Sequence, residues 1–125
     1  MQTLQFETAW EKAVAERDRQ YIEELFQNTK ELKSQDIDCH IIRTAINHKQ
    51  QMLVTVLIHN FTEQPLAFKE RVVRCLLEHG SVAQKFTIPA LTIPPFTSMP
   101  WTFIYESSDE FLFTEILKVE IVSSF

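Results

Sequence analysis

Gly80 is the single glycine in a chain of 125 residues. Ordinary usage of ~7 % would give roughly nine. Glycine takes positive φ without steric cost and lets a backbone approach a phosphate closely. One glycine excludes a phosphate loop, a Gly-rich dinucleotide fingerprint, collagen and flexible linkers. The remaining turns must bend with Asn, Asp, Ser and Pro. What the chain folds into is then set by how its apolar residues recur.

Two periods are present. In the first part, Trp10, Val14, Tyr21 and Leu25 fall on one helical stripe, joined by Ile22 and Phe26 at i,i+4 spacing. This predicts one amphipathic helix within residues 8–32. Thr8 followed by Glu11 fits a capping box, with an alternative start near Ala15 if Trp10 belongs to an extended lead-in. The polar run Asn28 to Ser34 closes the helix.

From Asp36 the period becomes two. Ile37, Cys39 and Ile41 alternate with Asp38, His40 and Ile42, and Asn47 to Gln51 is a polar turn. Met52 to Ile58 is apolar on both faces, as a central strand is. Phe61 to Pro65 connects to a long strand, Leu66 to Leu77, whose alternation slips near Glu70 and Arg71 and predicts a bulge there. Glu78-His79-Gly80-Ser81 is a tight hairpin turn, and Val82 to Ile88 returns. Pro89 to Pro100 holds four of the five prolines and reads as an extended crossover, because proline lacks the ladder donor. Trp101, Phe103 and Tyr105 share one face of the next strand. Glu106 to Glu110 is a turn, and Phe111 to Val122 is the closing strand.

The fold class that follows is mainly β: an immunoglobulin-like antiparallel β-sandwich of about six or seven strands with one N-terminal amphipathic helix. It fills a single domain over residues 1–125, with the helical lead-in at 8–32 and strands at 36–122. A hydrophobic content of 45 % is enough to build its core.

The formal net charge is −5, and the basic residues near Arg17 and Arg71 are interleaved with acids. Nucleic acid is not an expected partner. Cys39 and Cys75 are no disulfide framework and read as core thiols. The start of the sequence has no basic, apolar-cored signal and no run approaches a membrane span, so a cytoplasmic location is expected.

Several constellations invite chemistry. Cys39-His40 and Cys75-x-x-x-His79 suggest zinc, but neighbours on a strand point to opposite faces, so no metal or other cofactor is expected. Cys75 with His59 or His79 has no local nucleophile signature. A serine elbow is absent. The carboxylate pairs Glu23-Glu24 and Asp109-Glu110 belong to solvated surface. Asn60-Phe61-Thr62 matches the glycosylation sequon. Trp101, Phe103 and Tyr105 read as core before they read as a stacking platform. No catalytic residue emerges, and the chain is not expected to be an enzyme. The aromatic helix face of Trp10, Tyr21, Ile22, Leu25 and Phe26 has two readings. It caps the sandwich, or it docks a protein partner.

Leu53 to Asn60 is followed by Pro65, Phe68, Leu76-Leu77, Gly80 and Phe86-Thr87-Ile88. The block ends Ile93-Pro94-Pro95-x-x-Ser98-x-Pro100-Trp101-Thr102-Phe103. This pattern resembles the SLAP domain, an S-layer-associated module of firmicute bacteria. The resemblance is most specific at residues 93–103, and Trp10 and Tyr21 extend it towards the N-terminus. It implies a role in S-layer assembly beside an accessory Sec export system, with no catalytic residue and no cofactor. It implies structural roles for Asn60 at a strand end, Gly80 in the turn, Pro94, Pro95 and Pro100 in the crossover, and Trp101 and Phe103 in the core. The expected activity is contact with another protein or a second copy of the chain, through a sheet edge or the helix face. The alternative is a cytoplasmic adaptor or regulator without an S-layer role.

Overall fold

The computed structural model describes residues 1–112 and 114–122. The elements are β1 (Thr3–Leu4), α1 (Thr8–Ala13), α2 (Glu16–Thr29), β2 (Ile37–Ile46), β3 (Met52–Asn60), β4 (Leu66–Leu77), β5 (Gly80–Ile93), β6 (Thr97–Tyr105) and β7 (Ile116–Ile121). They form a mainly β sandwich. The first sheet has four strands in the order β1-β6-β3-β2, and the second has three in the order β5-β4-β7. Every ladder is antiparallel except β1 with β6, which is parallel and pairs only Thr3 with Thr97 and Leu4 with Ser98.

β3 explains the layering. Met52, Val54, Val56 and Ile58 point into the space between the sheets, where they join Phe68, Val73, Cys75, Phe86, Phe103 and Val119. Leu57 points the other way, into a smaller cluster with Ile22 and Phe26. A strand covered on both faces must be apolar on both, as Met52 to Ile58 is. Between the sheets an aromatic chain runs from Phe68 through Phe103, Phe86 and Tyr105 to Phe111, with centroids 5.1–5.7 Å apart. Trp101 is only partly buried against this core.

The helical lead-in is two helices, not one. Val14 donates its N–H to the Trp10 carbonyl, then Val14 and Ala15 turn extended before α2 begins. The first helix is capped by Glu7, whose carboxylate accepts from the Ala9 N–H at 2.9 Å, and not by a Thr8–Glu11 box. The chain enters α1 one residue earlier than that box requires.

The proline-rich crossover is also shorter than expected. β5 continues to Ile93 and β6 starts at Thr97, which leaves Pro94, Pro95 and Phe96 as the link. Pro89 is tolerated because β5 is an edge strand, and because the register with β4 slips around Phe68. Pro100 pairs with Leu57 on one side, while on the other β1 has already ended at Leu4. Its missing N–H therefore costs no ladder bond.

The slip in β4 coincides with Glu70 at φ 51°, and the Glu70 N–H donates to the Thr87 hydroxyl at 2.9 Å. In the β4–β5 hairpin, Glu78 and His79 form the loop and Leu77 pairs with Gly80. Gly80 has φ +154°, and a Cβ there would meet nothing within 4 Å, so the demand on this position is torsional. The closing strand is β7 alone. Phe111 belongs to a short 3-10 turn over Asp109–Phe111, and residue 113 of the expected strand lies outside the described residues. Among the described residues, no helix is long and apolar enough to cross a membrane.

Candidate functional site

The outer face of the first sheet carries the helices, a buried polar cluster and a groove. Strand alternation sends Asp38, His40 and Ile42 of β2, Leu53, Thr55, Leu57 and His59 of β3, and Ser98 and Thr102 of β6 to this side. α2 lies over the end of the face that holds His59. Ile22 and Phe26 are buried there on Leu57, with Trp10, Val14 and Leu25 partly buried around them. Tyr21 is left 49 % exposed. The sequence-derived docking set is thus divided: Ile22 and Phe26 are spent on the sheet, and Tyr21 faces solvent.

His59 is fully buried and joins three parts of the chain. Its Nε2 is 2.8 Å from the Thr29 hydroxyl of α2, and its Nδ1 is 2.5 Å from the Ser98 hydroxyl of β6. The tautomer follows from the partners. Thr29 already donates its hydroxyl proton to the Leu25 carbonyl at 2.6 Å, so it must accept from Nε2–H. Nδ1 then accepts from Ser98, whose oxygen accepts in turn from Gln2 Nε2 at 3.1 Å. Every donor in this network is used by a neutral imidazole.

Burial, and then the neighbouring His40, push the His59 imidazole down to about 4, against a smaller pull from Asp38. His40 stands edge-on to it, with ring centroids 5.4 Å apart. The His40 Nε2 is buried and has no partner among the described residues, and burial lowers its basicity as well. Asp38 is occupied elsewhere: its carboxylate accepts from the Ser34 N–H at 2.8 Å and from the Ser34 hydroxyl at 2.9 Å. Phe26 and Phe61 flank the His59 ring. A serine and a histidine thus lie in hydrogen-bond contact, and both are fully buried.

Beside the N-terminal half of α2 the same face is open. A groove of about 520 Å³ runs between the helices and the strands, lined by Trp10, Val14, Ile22, Ile42, Leu53 and Thr102 among others. Asp18 and Arg43 meet at its rim at 3.8 Å. Beside it Ile104, the ladder partner of Leu53, is exposed. Thr55 and Thr102 bond each other through their hydroxyls at 2.8 Å on its floor.

The other sequence candidates fall elsewhere. Cys39 packs on the core side of β2 while His40 lies on the helix side, so the pair is split between faces. Cys75 is in the core of the second sheet, and burial raises its thiol, the reverse of nucleophile activation. His79 sits in the exposed hairpin loop and His59 behind the first sheet, so neither reaches Cys75. Asn60 is fully buried at the end of β3. Its Nδ2 donates to the carbonyls of Gln64 (2.8 Å), Ile93 (3.1 Å) and Pro94 (3.1 Å), and its Oδ1 accepts from Thr62. The sequon nitrogen is committed to the fold, and the link holding Pro94 and Pro95 is tied to β3 by it. In the sequence His59 figures only as a possible partner of Cys75, Ser98 only within the proline-rich motif, and Thr29 not at all. The signal available was a histidine in phase with Leu53, Thr55 and Leu57 on an otherwise apolar face.

A search of the curated proteins returns no significant match, and neither does a search of the solved structures. The family model described as the SLAP domain matches residues 4–120, from β1 through most of β7. The match takes in both sheets and both helices, and the chain belongs to the SLAP domain family.

Proposed function

We propose that this chain is a non-enzymatic protein-binding module serving S-layer or envelope protein assembly and export. Family membership supports the S-layer context. The observation that carries the binding role is the uncovered half of the first sheet's outer face. There the groove floored by Leu53 and Ile42 is bordered by exposed Tyr21 and Ile104. Exposed apolar side chains grouped around an apolar groove mark contact surfaces more often than solvent-facing ones. The contact is made by the open half of the face, because Ile22 and Phe26 are already buried.

The test is affinity purification of the wild type and of Ile104→Glu from native cells, with the stability of both measured. An envelope or secretion protein recovered in stoichiometric amount by the wild type, and lost by an equally stable Ile104→Glu, supports the reading. Recovery of the same partner by both proteins moves the contact off this face. Recovery of metabolic small molecules alone overturns the binding role.

A further inference from the structure

We propose that α2 and β1 form an acid-released flap over the first sheet, latched at neutral pH by the His59 side chain. Besides the half-exposed Asp18–Arg43 ion pair and the Thr3 and Gln5 N–H bonds to the Phe96 and Ser98 carbonyls, the side-chain ties between the flap and the sheet meet at one imidazole. Thr29 in the last turn of α2 accepts from Nε2, and Ser98, beside which Leu4 of β1 is paired, donates to Nδ1. Gln2, next to β1, closes the chain of bonds by donating to Ser98 at 3.1 Å and to the Asn60 carbonyl at 3.0 Å. One side chain therefore holds the helix, the N-terminal strand and the two central strands together.

A second proton has no place in this arrangement. Nδ1 would become a donor facing Ser98, which already receives Gln2, so the serine proton would lose its acceptor. The surroundings do not favour the charge. From β2 the facing groups are His40, itself a base whose buried Nε2 is unpartnered among the described residues, and Asp38, whose oxygens are held by Ser34. At the end of α2 the charged group beside the cluster is Lys30, whose Nζ lies 5.7 Å from the Phe26 ring that flanks His59. β6 and the N-terminal segment present Ser98 and Gln2, which carry no charge. Protonation therefore acts on the latch before it acts on the sandwich, whose core lies on the far side of β3. Lifting the flap frees the imidazole into water and bares Ile22, Phe26 and Leu57.

Amide exchange at pH 7 and pH 4.5, corrected for intrinsic rates, tests this on the whole chain. Protection across residues 16–29 and at Thr3 and Gln5 should fall about ten-fold or more on acidification. Protection in the β3–β6 and β4–β5 ladders should hold. In His59→Gln, which keeps a donor for Thr29 and cannot take a proton, the acid response of α2 and β1 should largely vanish. Uniform loss over the whole fold, or equal responses in wild type and variant, overturns the proposal. Should His59→Gln fail to fold, the wild-type His59 ring is titrated by NMR. Titration without a matching change in the α2 amides overturns the proposal equally.

Discussion

The Tyr105 hydroxyl donates to the Val73 carbonyl at 2.8 Å, joining β6 of one sheet to β4 of the other through the middle of the core. Both residues are buried, and burial raises the phenol far above its ordinary range, so it stays a neutral donor. Tyr105→Phe keeps the ring contacts to Phe86 and Phe111 and removes the hydroxyl that makes this bond. The expected loss is about 1 kcal/mol. Urea denaturation should show a lower midpoint with an unchanged slope.

Asn60 should be far less tolerant. Its amide serves three carbonyls, in the β3–β4 link, at the end of β5 and in the β5–β6 link. Asn60→Asp presents a charged acceptor to those carbonyls and is expected to cost about 3 kcal/mol or more. Asn60→Ala should cost about 2–4 kcal/mol for the groups left unpaired. Thermal melts of the two variants at pH 7 would separate these outcomes, with Asp below Ala.

The helix stripe contains neighbours with opposite fates. Ile22 is 1 % exposed and Tyr21 is 49 % exposed. Ile22→Ala should destabilise by about 2–4 kcal/mol through lost burial and a residual cavity. Tyr21→Ala should stay within about 0.5 kcal/mol. Equilibrium denaturation checks both, and equal costs would mean that α2 does not sit as described.

Stability should fall with acid in a defined window. The folded-state His59 is lowered to about 4 from an ordinary value of 6.5, so below pH 6.5 the unfolded chain binds the proton first. The stabilisation is fully present above pH 6.5 and is lost as pH drops towards 4. Its size is up to about 3 kcal/mol, and His40 is shifted in the same direction. Denaturation midpoints at pH 7, 6, 5 and 4 should trace this slope, and His59→Gln should flatten it.

Much of the fold was readable because strand alternation is a local signal. The run Leu66 to Leu77, the polar turn at Asn47 to Gln51 and the bulge near Glu70 follow from residues adjacent in sequence. The prolines misled for a physical reason. A missing donor forbids only the interior of a sheet, and whether β5 and the far part of β6 are edges depends on strand order. The break at Val14 and Ala15 carries no glycine or proline to announce it. The His59 cluster was out of reach because Thr29 and Ser98 lie 30 and 39 positions away along the chain. The groove depends on how far α2 reaches across the sheet, which no periodicity encodes.

β5 leaves one whole side without a strand neighbour, and its register with β4 breaks beside Pro89. A module gathered at high local concentration meets its own copies edge to edge. An unbroken edge of fourteen residues would invite them to fuse into a growing ladder. Pro89 removes a donor, the slip bends the strand, and exposed Lys85 sets like charges against each other when two copies align. The residue type that lets the chain manage with a single glycine also breaks the edge along which a second copy would pair.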